Sequence, residues 1–136
     1  MNNRVFADTL YWVAILNPRD QWHEAAVEMR RMLEGIQLVT TESVLAELLN
    51  FFAESGPDPR NAAALMVESI IEDGEVDFIP NERDTFRKAL SLYSARQDKG
   101  YSLIDCISML AMKERGLSEV LTHDNHFEQE GFVVLL

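Results

Sequence analysis

Residues 4–9 read Arg4-Val5-Phe6-Ala7-Asp8-Thr9, a short apolar run followed at once by a carboxylate and a hydroxyl. A run of this length is typical of a buried strand. The residues from Thr9 to Leu16 then favour a helix, which Asn17-Pro18 ends because proline cannot continue it. A buried strand that leads directly into a helix is the repeating unit of parallel α/β folds. The stretch therefore predicts such a fold, with Asp8 at the end of its first strand.

The rest of the chain continues this alternation. Apolar residues at helical spacing predict helices over residues 19–34, 41–55, 58–72, 81–96 and 102–115. Short apolar runs predict strands at residues 36–39, 76–79, 119–122 and 132–136. This order predicts an α/β fold of three layers, with a central parallel sheet of four to five strands flanked by helices. We expect a single domain over residues 1–136, since the chain has no internal repeat or long linker.

The composition limits the class of protein. The 136 residues are 47% hydrophobic and 26% charged, which excludes a disordered or fibrous chain. Charges interrupt every long apolar stretch, so we expect no membrane span, and the first residues lack the layout of a signal peptide. The single cysteine, Cys106, cannot form an internal disulfide and is consistent with the reducing cytoplasm.

The net charge is strongly negative. The chain has 12 basic and 23 acidic side chains, which give a formal charge of −11. This sign excludes a protein that holds nucleic acid by its overall charge. It leaves open a solvated acidic surface, a basic protein partner, or carboxylates gathered around a metal cation.

Asp105 is the most informative of these carboxylates. It is the only charged residue in the segment from Leu103 to Met112, and a helix that is apolar all round is buried. A lone buried carboxylate is costly, which favours a functional role. The alternative is a capping box, in which Ser102 is the N-cap and Asp105 is the third helical residue.

Three further carboxylates stand in comparable positions. Glu47 lies on an apolar stripe inside the predicted 41–55 helix, Asp8 ends the first strand, and Asp124 follows the 119–122 strand. Each also has an ordinary explanation, namely a glutamate that reaches water, a helix N-cap, or an Asx-turn. However, the carboxyl ends of parallel strands lie at one edge of the sheet, where such folds bind ligands.

A shared cation would reconcile the four positions. Clustered carboxylates repel one another, and hard divalent cations such as Mg²⁺ and Mn²⁺ relieve this repulsion because they prefer oxygen ligands. Such a centre suits phosphodiester hydrolysis, in which the cation activates water and neutralises charge at the phosphorus.

Four motifs around these carboxylates resemble the PIN-domain nucleases, and among them the VapC-like toxin ribonucleases. In chain order they are Phe6-Ala7-Asp8-Thr9, Thr41-Glu42-Ser43-Val44-Leu45-Ala46-Glu47, Tyr101-Ser102-Leu103-Ile104-Asp105-Cys106 and Leu121-Thr122-His123-Asp124-Asn125-His126-Phe127. Each motif is weak alone, but the four stand in the family's order and span essentially the whole chain.

The resemblance implies a PIN-like fold and an endoribonuclease that hydrolyses single-stranded RNA with Mg²⁺ or Mn²⁺. It implies that catalysis and metal binding depend on one acidic set, formed by Asp8, Glu47, Asp105 and Asp124. It also implies supporting polar roles for Thr9 and Thr122. Members of the family often form homodimers, and the VapC-like members are toxins with a cognate antitoxin. We therefore expect RNA, an antitoxin protein and a second copy of the chain as partners.

An acidic protein that handles RNA needs a locally basic groove. Arg96, Lys99 and Lys113 flank Asp105 in the sequence and are the candidates for RNA binding, although a solvated helix end is the simpler explanation for them.

Other functions remain open at this point. The chain could be a PIN-like module that binds proteins without catalysis, or a stand-alone nuclease without an antitoxin. A phosphatase of the haloacid-dehalogenase type would need a second aspartate where Leu10 stands. His123 and His126 suggest zinc only weakly, because no third histidine lies nearby in the sequence, and a surface position is the simpler interpretation.

Overall fold

The predicted alternation of strands and helices is confirmed by the computed structural model, which describes residues 3–136. Its strands are β1 (Arg4–Ala7), β2 (Gln37–Thr41), β3 (Asp77–Ile79), β4 (Glu119–Leu121) and β5 (Val133–Val134). Its helices are α1 (Thr9–Leu16), α2 (His23–Met32), α3 (Glu42–Phe51), α4 (Pro57–Asp73), α5 (Thr85–Ala95), α6 (Leu103–Glu114) and α7 (His126–Gln129).

Two helices begin later than the apolar spacing predicts. Before α2, the side chain of Asp20 accepts a hydrogen bond from the backbone of Trp22 at 2.8 Å, which forms a turn instead of a helical start. Before α5, the hydroxyl of Thr85 accepts from the backbone of Glu82 at 2.7 Å. In both places a local side-chain hydrogen bond competes with the helix, so the polar residues ahead of each apolar stripe stay outside it.

The strand order of the sheet indicates the edge at which a fold of this kind binds ligands. The order is β3-β2-β1-β4-β5, and every pair is parallel. The chain moves from β1 to one side and later returns to the other side of β1, so the order reverses between β1 and β4. In open parallel sheets, ligands bind at the carboxyl ends of the strands next to such a reversal. Asp8 directly follows β1 there, and the segment after Leu121 follows β4.

The core lies between the sheet and the helices. Val5, Phe6 and Ala7 of β1 are almost wholly inaccessible to solvent, as expected of the central strand of a parallel sheet. Met109 and Met112 of α6 are equally buried. Burial of a side chain of this size contributes about 1.5–3 kcal/mol, so β1 and α6 hold the carboxyl edge of the sheet in place.

Helix α5 leaves most of its apolar face uncovered. Ala89 is buried, whereas Phe86, Leu90 and Tyr93 are 63%, 46% and 50% exposed. We refer to these three exposed side chains as the α5 stripe. Within the described residues, no helix is both long and apolar enough to cross a bilayer.

Candidate active site

Asp8 lies at the carboxyl end of β1, and it is 4% exposed. It occupies the N-cap position of α1, but its side chain does not cap that helix. Instead, its Oδ2 accepts a hydrogen bond from the hydroxyl of Thr122 at 2.9 Å. Burial raises the pKa of Asp8 to about 7, and the charges of Asp105 and Glu47 add to that effect. Hydrogen bonds from Thr122 and from the Thr9 backbone offset it only in part.

Glu47 reaches the same edge from α3. Thr41 fixes the start of this helix, because its hydroxyl accepts from the backbone of Val44 at 3.1 Å. Glu47 follows on the second turn and is half-buried. Its Oε1 accepts a short hydrogen bond from the hydroxyl of Thr9. Thr9 therefore ties α3 to the start of α1, next to Asp8.

Asp105 combines a helix cap with a place among the other carboxylates. It forms a capping box with Ser102, in which each residue accepts a backbone hydrogen bond from the other at 3.0 Å. Its side chain is nevertheless only 14% exposed and lies beside the other carboxylates. Burial and the nearby charge of Asp124 raise the pKa of Asp105, against the hydrogen bonds from Ser102. A capping residue at an exposed helix end would not meet this electrostatic environment.

Asp124 follows β4 and shares a short turn with His126. The backbone N–H of Asp124 donates to the hydroxyl of Thr122 at 3.1 Å, and Asp124 accepts from the backbone of His126 at 2.9 Å. Thr122 therefore links Asp8 to Asp124, since the same hydroxyl donates to the Asp8 carboxylate. One oxygen each of Asp105 and Asp124 and one ring nitrogen of His126 all lie within 4.8 Å of one another.

The position of His126 differs from the surface position that the sequence suggested. Its Nδ1 lies 3.1 Å from Oδ1 of Asp124 and 3.7 Å from Oδ2 of Asp105. In the sequence, the one feature that points to this position is that His126 stands two residues after Asp124. By contrast, His123 lies outside this cluster and stacks on Trp22, with ring centroids 4.4 Å apart.

The donor atoms at this edge fit a divalent cation. The four predicted carboxylates form one electrostatic group, since Asp8 is repelled by Asp105 and Glu47, and Asp105 is repelled by Asp124. Nδ1 of His126 is buried and has no hydrogen-bond partner among residues 3–136, although it faces two of these carboxylates. Carboxylate oxygens suit hard divalent cations, and a ring nitrogen suits transition metals.

The three candidate RNA-binding cations are placed differently from one another. Arg96 donates two hydrogen bonds to Glu130, at 2.9 and 3.0 Å, and Lys113 donates one to the same carboxylate at 2.7 Å. The hydroxyl of Tyr101 also donates to Glu130, at 3.0 Å. The ammonium group of Lys99 lies 3.8 Å from the exposed carboxylate of Asp98, which is a weak surface pair. Lys99 is therefore the most available of the three for RNA.

Comparisons with known proteins identify the family of this chain. The family model for the PIN domain matches residues 5–132. A VapC ribonuclease from Aquifex aeolicus (strain VF5) is 30% identical over 99 residues, which are 73% of this chain and 70% of that protein. This chain therefore belongs to the PIN-domain family and, within it, is related to the VapC ribonucleases.

Two solved structures share the fold. The Mycobacterium tuberculosis toxin VapC20, described as cleaving the sarcin–ricin loop, superposes with a TM-score of 0.83 at 22% identity, over 95% of this chain and 96% of that one. FitAcB from Neisseria gonorrhoeae superposes with a TM-score of 0.68 at 17% identity, over 97% of this chain and 96% of that one. The resemblance and the three-layer α/β fold expected from the sequence are thus confirmed.

Proposed function

We propose that this protein is an endoribonuclease that hydrolyses phosphodiester bonds of single-stranded RNA and depends on Mg²⁺ or Mn²⁺. Family membership supports nuclease chemistry. The observation that carries the metal dependence is the group of mutually repelling, largely buried carboxylates at the sheet edge, where the pKa of Asp8 is raised to about 7. Without a cation these charges destabilise one another, and a divalent ion would neutralise them.

In this proposal Asp8, Asp105 and Asp124 bind the metal and Glu47 binds it or orients a water molecule on it. A divalent cation in such a site lowers the pKa of water and neutralises charge at the phosphate. The protein's own contribution is positional. Thr122 holds Asp8 and the backbone of Asp124 in one arrangement, and Thr9 orients the carboxylate of Glu47.

RNA would approach along the loop between α5 and α6. Lys99 lies in that loop, two residues before Tyr101, and its side chain is 38% exposed. Arg96 and Lys113 both form ion pairs with Glu130, so this carboxylate offsets part of their positive charge. We propose that Lys99 makes the main phosphate contact, and that Arg96 and Lys113 contribute a weaker positive field.

The proposal includes an antitoxin. The VapC20 relative is described as a toxin, and the acidic site of this chain would attract a basic side chain. A Lys or Arg from an antitoxin segment would bind the same carboxylates as the metal, so Mn²⁺ should weaken inhibition. An RNA substrate and reduced Cys106 both fit a cytoplasmic protein.

We further propose that the chain forms a homodimer through the α5 stripe. Phe86, Leu90 and Tyr93 expose apolar surface on one helix face, and contiguous apolar surface of this kind marks interaction sites. Light scattering should report twice the monomer mass of 15.5 kDa, and Leu90→Glu should return it to the monomer value. A monomeric wild type would reject the dimer and leave the nuclease proposal intact.

The deciding experiment is cleavage of a labelled single-stranded RNA by the purified protein. We expect cleavage in millimolar Mn²⁺ and none after chelation with EDTA, restored when Mn²⁺ is added back. Cleavage that persists in EDTA would reject metal dependence. No cleavage under any condition, in a protein that still binds a partner, would favour a non-catalytic PIN-like module.

A further inference from the structure

The ring nitrogen Nδ1 of His126 has no conventional role in the structure. It is buried, and within residues 3–136 it makes no hydrogen bond of acceptable geometry. Polar atoms in protein interiors almost always have a partner, so an unpartnered one needs an explanation. Carboxylate oxygens of Asp124 and Asp105 lie close to this nitrogen.

The spacing of these three atoms suits a shared ion. Two ligands that bind an octahedral cation at about 2.1 Å and at right angles lie about 3.0 Å apart. Nδ1 lies 3.1 Å from the Asp124 oxygen, which is close to that value, and 3.7 Å from the Asp105 oxygen, which corresponds to a wider angle. The three candidate ligand atoms all lie within 4.8 Å of one another.

The orientation of the ring is fixed by its surroundings. The backbone N–H of His126 donates to Asp124 at 2.9 Å, which sets the start of α7. The ring of Tyr101 meets the imidazole edge-on, with centroids 5.6 Å apart and planes inclined at 68°. Tyr101 is in turn anchored by its hydrogen bond to Glu130. The imidazole is therefore held with Nδ1 toward the carboxylates before any ion binds.

We propose that His126 is a ligand of the divalent cation through Nδ1, and that this ligand makes the centre prefer a first-row transition ion such as Mn²⁺ over Mg²⁺. The inference rests on the proposed function, because it assumes that the acidic group binds a metal. Mg²⁺ strongly prefers oxygen ligands, whereas an imidazole nitrogen favours transition metals. A purely carboxylate centre would lack this basis for selection.

The direct test is pulsed electron paramagnetic resonance of the Mn²⁺-loaded protein. We expect hyperfine coupling from a directly bound nitrogen in the wild type, absent in His126→Ala and retained in His123→Ala. His123 is the matched control because it lies in the same loop but stacks on Trp22. Calorimetry should show that His126→Ala weakens Mn²⁺ binding by roughly tenfold, with a smaller change for Mg²⁺.

The outcomes separate the two proposals. Tight Mn²⁺ binding without nitrogen coupling in the wild type would overturn the role of His126 and leave the carboxylate centre standing. No Mn²⁺ binding by the wild type would overturn both. If His126→Ala fails to fold, His126→Gln replaces it, and the wild-type spectrum still decides. Equal loss of Mn²⁺ and Mg²⁺ affinity in the folded variant would reject the preference for transition ions.

Discussion

Two carboxylates of this protein, Glu130 and Asp8, are both shielded from solvent but have opposite electrostatic surroundings. Glu130 is surrounded by groups of the chain that stabilise its charge, namely Arg96, Lys113 and Tyr101. Hydrogen bonds from Arg96, with support from Lys113 and Tyr101, lower the pKa of Glu130 to about 2. Asp8 has a threonine hydroxyl and two like charges nearby, and its pKa is raised to about 7.

The two carboxylates differ in whether the fold itself neutralises their charge. The charge of Glu130 is balanced within the fold, so the site is complete and serves structure. At Asp8, by contrast, no basic side chain is among the described groups that shift its pKa, and the nearby charges of Asp105 and Glu47 raise that pKa further. This imbalance is what the proposed cation would relieve. Strongly perturbed pKa values of this second kind mark functional sites, because stability alone would favour replacing such carboxylates.

The largest effect is expected from Asp105→Asn. Asparagine can still accept the Ser102 backbone hydrogen bond, so the capping box and the fold should survive. Loss of the charge should remove metal-site stabilisation worth several kcal/mol in the transition state, which lowers the cleavage rate about 100-fold or more. Cleavage rates on a labelled RNA, together with melting temperatures, measure both properties.

A matched control distinguishes site chemistry from helix capping. Asp58→Asn changes an exposed carboxylate in the first turn of α4 and should leave cleavage unchanged. If Asp105→Asn keeps full activity and loses only about 1 kcal/mol of stability, Asp105 is a capping residue and the mechanism is wrong.

The second effect concerns the metal-free protein and its pH dependence. The folded pKa of Asp8 is about 7, against an ordinary value of 3.8. A raised carboxyl pKa means that the folded state binds the proton more tightly than the unfolded state does. The stabilisation from Asp8 is therefore complete below about pH 4 and is lost as the pH rises through about 7.

Asp8→Asn should remove the loss of stability that the metal-free wild type shows as the pH rises. In the absence of metal, the variant should match the wild type near pH 4 and exceed its stability at pH 8 by about 4 kcal/mol at most. Urea unfolding at both pH values in EDTA gives the comparison. Saturating Mn²⁺ should reduce the difference, because it stabilises only the wild type, by about 2.7 kcal/mol at 100 times the dissociation constant. Equal stability of the two proteins at pH 8 in EDTA would argue against a raised pKa for Asp8.

The sequence predicted one of the two sites and missed the other for a physical reason. Asp8, Asp105 and Asp124 stand at the junctions of strands and helices, and local periodicity is enough to locate those junctions. No local pattern marks Glu130, because its partners Arg96 and Lys113 lie 34 and 17 residues away in the chain. For His126 the sequence favoured a surface position, because no third histidine lies nearby in the chain. Its environment depends on Asp105, which tertiary packing brings to it.

The third effect is expected at Glu130, where loss of the carboxylate charge should destabilise the protein. Glu130→Gln removes the charge that Arg96 and Lys113 neutralise, so it should destabilise the protein by about 1–3 kcal/mol at pH 7. Because the folded pKa of Glu130 is lowered to about 2, its contribution is present above about pH 4.5 and is lost as the pH falls toward 2. Urea unfolding should therefore show the two proteins converging at low pH. A stabilised variant at pH 7 would contradict the contrast with Asp8.

The smallest effect is expected from Lys99→Gln, which tests the phosphate contact proposed for this lysine. Lys99 forms a weak surface pair with exposed Asp98, at 3.8 Å, so its loss should leave the melting temperature unchanged. Removal of one phosphate contact should reduce the slope of log affinity against log salt by about 0.7 for single-stranded RNA. The measurement is RNA binding by an Asp105→Asn background across a salt series, which separates binding from cleavage.

Lys113→Gln serves as the matched comparison. Because Glu130 already holds that lysine, its substitution should change the salt slope less than Lys99→Gln does and the stability more. A larger change in slope for Lys113→Gln would mean that the Glu130 site opens to RNA and is not purely structural.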